Sequence, residues 1–188
     1  MTATAKVGFT LLASDMQGDY TVLNSALYRL DALLGGVADK DATIQTGLDI
    51  DGTAYIVGET IYSITAISIA LHKFTIAGNQ TADIHANETL RIVGGAGSND
   101  GTYTIYSVTL VGGATEIVVN EDINSATIQG SVHHARGDWN GYGLYIAHYY
   151  GSSWHFYSIA AGGTIFVNDE TKWYYRTAAG WTIYPDAT

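Results

Sequence analysis

The sequence predicts a mainly β protein in which an N-terminal helix precedes two small β-domains, one inserted in the other. Runs of β-branched residues fill the middle of the chain, and glycine, asparagine and aspartate separate them, as in a small barrel or sandwich. The C-terminal part consists of short aromatic segments cut by glycine, which is typical of half-exposed strands. Leucines recur at the spacing of a coiled-coil seam in one stretch near the front.

The predicted helix runs from Asp19, which can cap its N-terminus, to Gly35 and Gly36, which end it. Between them, apolar side chains recur at spacings of three and four residues, the pattern of a coiled-coil seam. Two interpretations stay open: an amphipathic helix that packs on its own domain, or a short helical bundle at an oligomer axis. The seam is only about two heptads long, so adjoining domains would have to support it. Its residues are Tyr20, Leu23, Leu27, Leu30 and Leu34.

Changes in residue composition divide the chain into three parts. Asp51-Gly52 predicts a turn that leads into a strand within TAYIVG, and β-branched runs dominate after it. We predict a first part of the outer domain over 1–62, an inserted β-domain over 63–132 and an aromatic remainder of the outer domain over 133–188. The strand runs predicted in the insert are SITAISIAL, KFTIAG, TLRIVGG, GTYTIYSVTLV, TEIVVNE and ATIQGSV.

All four tryptophans lie in the aromatic C-terminal part. Large, half-polar rings pack well on a pleated sheet and keep one edge wet, so we expect strands with a partly exposed face. Most of these rings should serve core packing or a subunit interface, while exposed ones are suited to stack on a glycan. The candidates for an interface or a glycan contact are Trp139, Tyr142, Trp154, Tyr157, Trp173, Tyr175 and Trp181.

Charge and composition exclude several classes of partner. The formal net charge of −10 repels phosphate backbones, so we expect no nucleic-acid partner. The chain has no cysteine, which excludes disulfides and thiolate chemistry. We find no apolar run long enough to span a membrane, and no basic segment followed by an apolar run that would mark a signal peptide. We therefore expect no membrane insertion.

Residues suited to bond chemistry are present but form no specific motif. Four histidines fall within a short stretch, yet their spacing matches no strong zinc signature, and the adjacent His133 and His134 would point to opposite faces of a strand. Asp169 and Glu170 lie in VNDET, a natural turn between strands, rather than in a recognisable pair of glycosidase carboxylates. We predict no catalytic residue, no metal site and no cofactor, and we expect that the protein is not an enzyme.

Two separated stretches resemble a domain of unknown function found in tailed phages, prophages and gene transfer agents. NSALYRLDALLGGVADKDAT, followed by GTAYIVGE, resembles the helix "NEALRRLDAL" and the "GxxYIV" strand of that family. GSSWHFY and GGTIFVNDETKWYYRTAAGW resemble its closing aromatic strands. The middle block departs from the family, whose YIV strand runs straight into the aromatic strands. It resembles instead a small β-module that recurs in virion proteins.

The resemblance implies a structural component of a phage-like virion, such as a tail fibre, head spike or baseplate-associated protein, that assembles and attaches to the host surface. It implies synthesis in the bacterial host cytoplasm, a final location in the virion, assembly as a homotrimer with other virion proteins as neighbours, and a host-surface glycan as a further partner. A carbohydrate-binding adhesin stays open as an alternative, and a polysaccharide hydrolase as a less favoured one. The family has no established catalytic residues, so none is carried over.

Overall fold

The computed structural model describes residues 30, 34–39 and 47–184, and its regular structure is almost entirely β-strand. The predicted mainly β class is confirmed. The chain forms two compact units. One combines the residues up to Gly58 with those from Leu144 onward, and the other comprises Glu59–Gly143. We call them the split unit and the barrel unit. Within the described residues, no helix is long and apolar enough to cross a membrane.

Twelve strands and one short 3₁₀ helix, Gly137–Trp139, occur in the described part of the chain. The strands are β1 (Thr53–Ile56), β2 (Thr60–Ser68), β3 (Lys73–Ala77), β4 (Thr89–Val93), β5 (Gly101–Val111), β6 (Ala114–Val119), β7 (Ser131–His134), β8 (Ile146–Tyr150), β9 (Ser153–Tyr157), β10 (Thr164–Val167), β11 (Lys172–Arg176) and β12 (Trp181–Ile183).

The barrel unit is a closed antiparallel barrel with the strand order β2-β3-β6-β5-β4-β7. β2 changes its hydrogen-bonding partner along its length. Its first half pairs with β7, which places Thr60 opposite His134, and its second half pairs with β3 after an irregularity between Ile64 and Ala66. Such an irregularity bends a strand, and the bend lets one strand close the barrel on both sides.

Alternation along the strands fills the barrel with aliphatic side chains. On β4, for example, Leu90 and Ile92 are buried while Arg91 between them is only half-buried. Burying one aliphatic side chain of this size contributes about 1.5–3 kcal/mol, so ten of them, together with Phe74 and Tyr103, make the barrel a substantial core. The buried members are Ile64, Phe74, Ile76, Ile84, Leu90, Ile92, Tyr103, Ile105, Ile117, Val119, Ile123 and Val132.

The inserted domain predicted over 63–132 lies within the barrel unit, whose bounds are wider. Positions 63 and 132 fall inside β2 and β7. These two strands pair with each other over four residues to close the barrel, so the barrel needs both strands whole. The run ATIQGSV forms a strand only from Ser131, and the residues before it have no regular structure.

The split unit contains two three-stranded antiparallel sheets, β1-β8-β9 and β10-β11-β12. Gly52 has φ +78°, which lets the chain turn into β1 as the Asp-Gly pair predicts. One face of each sheet is aliphatic, and these faces share a core. Its buried members are Val37, Ala54, Ile56, Ile146, Ile165, Val167 and Tyr174.

A short segment before β1 ties these two sheets together through its backbone. Val37 donates a hydrogen bond from its N–H to the carbonyl of Phe166 (2.9 Å), and Ala38 donates to the carbonyl of Ala54 (2.6 Å). The side chain of Val37 is fully buried between these contacts. Residues 37–38 therefore form hydrogen bonds with both β10 and β1, which explains how two small sheets form one core.

The predicted N-terminal helix lies almost wholly outside the described residues. Tyr20, Leu23 and Leu27 are not described, and Leu30 and Leu34 are exposed in a single chain. Within the described residues, the one named helix is the 3₁₀ turn in the barrel unit, so the structure gives the N-terminal helix no support. Both interpretations of the seam, packing against its own domain and packing against other copies, stay hypotheses.

A buried amide holds the loop between β6 and β7 to the loop before β5. The Asn99 side chain is inaccessible to solvent. Its Oδ1 accepts hydrogen bonds from the backbone N–H groups of Asn124 (2.9 Å) and Ser125 (3.0 Å), and its Nδ2 donates to the Ser125 carbonyl (2.8 Å). Its own carbonyl accepts a bond from the Tyr103 hydroxyl (2.8 Å).

Asn99→Ala should destabilise the barrel unit by about 2 kcal/mol, because it removes three hydrogen bonds made by a fully buried side chain. Urea denaturation followed by circular dichroism measures this change. Asn120→Ala is the matched control, since residue 120 is exposed, and its effect should stay within about 0.5 kcal/mol. Equal effects of the two substitutions would contradict a structural role for the buried amide.

Candidate functional site

One face of the β10-β11-β12 sheet carries aromatic and hydroxyl side chains. The register places Phe166 opposite Trp173, and Tyr175 opposite both Thr164 and Thr182. Opposed residues of antiparallel strands share a face, and so do residues two apart on one strand. The N–H of Tyr184 donates to the Trp173 carbonyl (2.8 Å), which extends the pairing one residue beyond β12. We call these six residues the aromatic face: Thr164, Phe166, Trp173, Tyr175, Thr182 and Tyr184.

Ring contacts within the aromatic face orient its side chains. Phe166 and Trp173 have ring centroids 5.5 Å apart with an interplanar angle of 64°. Tyr175 and Tyr184 are 6.0 Å apart at 86°. Both geometries are in the favourable range for edge-to-face aromatic pairs. The rings therefore support one another rather than lie loose on the surface.

The aromatic face is open to solvent in the single chain. Trp173 is 54% exposed and Tyr184 is 53% exposed. Together with Thr164 they line a shallow hollow of about 350 Å³. That volume is at the small end of the range of small-molecule sites, about 300–1,000 Å³. Two exposed rings that flank a hollow are suited to hold a ligand.

The aromatic face offers hydrogen bonds without charge. Its polar groups are the hydroxyls of Thr164, Tyr175, Thr182 and Tyr184, and its six residues include no aspartate, glutamate, histidine, lysine or arginine. The nearby cation Arg176 is directed into the turn, where its Nη1 donates to the carbonyls of Thr177 and Gly180. A neutral, hydroxyl-rich ligand with flat apolar faces therefore matches this surface better than an ion does.

Three of the seven aromatic candidates from the sequence are core residues in the structure. Trp139 is 1% exposed and lies in the barrel unit. Tyr157 and Trp181 pack against the core of the split unit, and the Trp181 indole N–H donates to the Leu144 carbonyl (3.0 Å). The Trp139 ring is thus buried, and the Tyr157 and Trp181 rings are partly buried against the core of the split unit.

The remaining candidates divide between the aromatic face and other surfaces. Trp173 and Tyr175 belong to the aromatic face. Trp154 is half-buried on the β1-β8-β9 sheet, with its ring centroid 5.1 Å from that of Tyr149. Tyr142 is exposed in the barrel unit. The structure thus brings two of the seven predicted residues onto one exposed face.

A buried carboxylate organises a polar cluster on the barrel unit. Arg91 donates to Glu59 through two nitrogens, from Nε to Oε1 (2.9 Å) and from Nη2 to Oε2 (2.6 Å). His133 Nδ1 lies 3.3 Å from Glu59 Oε2, and His133 Nε2 lies 2.9 Å from Ser131 Oγ. We call these four residues the Glu59 cluster. The Glu59 side chain is 5% exposed.

The charges in the Glu59 cluster keep its carboxylate ionised. Burial alone would raise the pKa of Glu59, but hydrogen bonds from Arg91 and His133, together with the positive charge of Arg91, outweigh burial and lower the pKa to about 2. The same interactions raise the pKa of the Arg91 guanidinium. Glu59 is therefore a hydrogen-bond acceptor at any pH near neutrality.

His134 faces away from its neighbour His133, as the strand alternation predicts. It is fully buried, and burial lowers its pKa. Its Nε2 lies 2.9 Å from Glu88 Oε2. The predicted alternation therefore separates the two histidines into different surroundings. Among the described residues, no group of three or more histidine, aspartate or glutamate side chains could hold a metal ion.

The carboxylates considered for glycoside hydrolysis do not converge on the aromatic face. Asp169 is exposed in the turn between β10 and β11, where the sequence predicts a turn. Glu170 accepts a hydrogen bond from the Tyr174 hydroxyl, whose ring belongs to the core. Tyr174 is on the opposite side of β11 from Trp173 and Tyr175.

Residues of the aromatic face and of the Glu59 cluster were not identified from the sequence. The alternation of side chains along a strand nevertheless indicates some residues of each site. Phe166 lies between the buried Ile165 and Val167, so period-two reading of TIFV would have placed it on the outer face. Ser131 and His133 are two apart and share a face of β7 by the same rule. No sequence signal brings Glu59 to them, because that contact spans 74 residues.

Comparison with known proteins gives no match: no family model, no curated protein and no solved structure matches the chain significantly. The two candidate sites are therefore identified by their geometry alone.

The Glu59 cluster should make the barrel unit sensitive to acid. The folded-state pKa of Glu59 is about 2, below its ordinary value of 4.5, so its stabilisation is complete above about pH 4.5 and is lost as pH falls towards 2. Urea denaturation across this range should show the stability advantage of the natural chain over Glu59→Gln shrinking by on the order of 3 kcal/mol.

Glu116→Gln is the control for this experiment, because Glu116 pairs with Lys73 at a more exposed position on the same barrel. Its stability difference from the natural chain should change much less with pH. A Glu59→Gln chain that follows the pH profile of the natural chain would contradict the assigned electrostatics.

Proposed function

We propose that this chain is a structural component of a phage-like virion that contributes to host-surface attachment, and that its aromatic face binds a neutral saccharide. The observation that carries the binding role is the open hollow between Trp173 and Tyr184. Binding at this face requires no bond to be made or broken.

The chemistry of the aromatic face supports a saccharide as its occupant. Sugar rings present flat C–H faces that pack on aromatic rings, and hydroxyls around their edges that bond to polar side chains. The face supplies both, with Trp173 and Tyr184 flanking the hollow and Thr164 at its lining. The formal net charge of −10 disfavours an acidic polysaccharide, so a neutral hexose polymer is the proposed class.

The position of the motifs supports the virion part of the proposal. GTAYIVGE covers β1, and GGTIFVNDETKWYYRTAAGW covers β10 and β11 and reaches β12. All these strands belong to the split unit, whereas the block that departs from the phage-domain pattern builds the barrel unit. The described strands within these stretches thus all belong to the split unit, which carries the aromatic face.

A second candidate occupant of the aromatic face is a neighbouring subunit. The observation that favours it is the size of the exposed rings, because tryptophan and tyrosine are enriched in the cores of protein interfaces. The carbohydrate-binding and assembly roles differ in their experimental outcome. A saccharide should bind the isolated chain, whereas a subunit interface should leave a glycan array blank.

A glycan array tests the saccharide. The full chain should bind neutral hexose polymers, and Trp173→Ala should weaken binding at least about tenfold, which corresponds to about 1.4 kcal/mol. Trp173 is mostly exposed, so its replacement should leave the fold intact. Trp181→Ala is unsuitable, because it removes a core contact of the split unit.

Tyr106→Ala is the matched control for the array. Tyr106 is 68% exposed on the barrel unit, so this variant removes an exposed aromatic ring without touching the aromatic face. Its binding should equal that of the natural chain. A blank array, or equal losses in both variants, would contradict the saccharide proposal.

The homotrimer proposed for the virion component is tested through the two described seam residues. Leu30 and Leu34 are exposed in a single chain, and burying them against other copies would supply apolar contacts. Mass photometry should detect trimers of the natural chain, and the double change Leu30→Asp and Leu34→Asp should shift them to monomers. Monomers alone for the natural chain at high concentration would contradict this assembly.

A further inference from the structure

We propose that Ser131, His133 and Glu59 form a nucleophile–base–acid relay, and that Ser131 accepts acyl groups from small activated esters. This activity lies beyond the proposed attachment function and uses residues of the barrel unit rather than the aromatic face. It also departs from the expectation that the protein performs no bond chemistry.

The three side chains are connected in the order that such a relay requires. Ser131 Oγ lies 2.9 Å from His133 Nε2, and His133 Nδ1 lies 3.3 Å from Glu59 Oε2. Each contact joins a different nitrogen of the imidazole, as in serine hydrolases, where geometry rather than sequence order identifies the triad. β7 supplies the first two residues from one face, and Glu59 precedes β2, the strand that pairs with β7.

In the state in which His133 is neutral, the ionised Glu59 sets the direction of both hydrogen bonds. An ionised carboxylate accepts hydrogen bonds and donates none, so the proton shared with it belongs to His133 Nδ1. A neutral imidazole with a proton on Nδ1 has an unprotonated Nε2. Ser131 Oγ therefore donates its proton to Nε2, and this nitrogen is positioned to remove that proton when the oxygen attacks.

Neighbouring residues hold the Glu59 carboxylate in place and leave the Ser131 hydroxyl accessible. Arg91 binds Glu59 through two hydrogen bonds, and Gly143 lies so close that a Cβ at that position would overlap the carboxylate. In contrast, Ser131 is half-buried, and the residues opposite it, Ser63 on β2 and Val93 on β4, are small. A small ester can therefore approach the Ser131 hydroxyl, whereas it could not approach the Glu59 carboxylate.

The proposed reaction transfers an acyl group in two balanced steps. Ser131 Oγ forms a bond to the ester carbonyl carbon, its proton moves to His133 Nε2, and the bond from carbon to the leaving oxygen breaks as that oxygen takes the proton from Nε2. Water then attacks the acyl-serine, gives a proton to Nε2, and releases the acid as the proton returns to Ser131 Oγ.

A small fluorophosphonate tests the nucleophile directly, because Ser131 Oγ would form a bond to phosphorus as fluoride leaves. The full chain is incubated with the reagent, and intact mass with peptide mapping locates the adduct. Ser131 should react at least about 100-fold faster than any other serine of the chain, in line with the contribution of a positioned general base. p-Nitrophenyl acetate should release a burst of about one equivalent of p-nitrophenolate.

Matched variants separate the relay from a structural brace. Ser131→Ala should abolish the adduct, while Ser63→Ala, which removes the exposed serine directly opposite, should leave it unchanged. His133→Ala should lower the labelling rate at least about 100-fold, and Glu59→Gln at least about tenfold, with circular dichroism confirming that each variant is folded. An unlabelled Ser131 in the folded natural chain, or a labelling rate unaffected by a folded His133→Ala, would overturn the proposal.

Discussion

Alternation of side chains along β10 and β11 is the constraint on which the aromatic face depends. Ile165, Val167 and Tyr174 are buried in the core of the split unit. Once these residues face inward, Phe166 and Trp173 must face outward, because neighbours on a strand point to opposite sides. The exposed rings are thus a consequence of how the core is built, and moving them inward would require a register shift that exposes the core.

The same constraint acts on the barrel unit, but closure of the barrel adds a second one. β7 pairs with β2 and β4, so residues that are distant in sequence meet across it. Ser131 and His133 share the outer side of β7, while Val132 between them fills the core. The Glu59 cluster therefore combines a local pattern with a long-range pairing, and both are needed to assemble it.

The split unit tolerates the insertion because the chain leaves it and returns to it at adjacent positions. Val57 donates from its N–H to the Tyr145 carbonyl (2.9 Å), and Leu144 donates from its N–H to the Val57 carbonyl (2.9 Å). An insert whose two ends are this close replaces what would otherwise be a tight connection between β1 and β8, as is common for domains inserted into others. The sequence of the split unit is therefore divided between the two sides of the barrel unit.

Sequence alone could predict what depends on local periodicity, and it failed where distant segments meet. The β class, the Asp51-Gly52 turn and the opposite orientations of His133 and His134 all follow from short-range rules. The bounds of the barrel unit, Glu59 and Gly143, lie outside the predicted 63–132, because Thr60 pairs with His134, a contact no local pattern encodes. Trp181 and Trp173 look alike in sequence, and only the packing of Trp181 against the core separates them.

The proposed assignment places Trp173 on the ligand-binding face, Trp139 in the core of the barrel unit and Trp181 against the core of the split unit. The indole N–H signals of the four tryptophans in a two-dimensional ¹H–¹⁵N NMR spectrum test it directly, once each is assigned by substitution. On titration with a neutral oligosaccharide, the Trp173 signal should shift and saturate, while those of Trp139 and Trp181 stay in place. A titration that moves the Trp154 signal instead, or none of the four, would contradict this account.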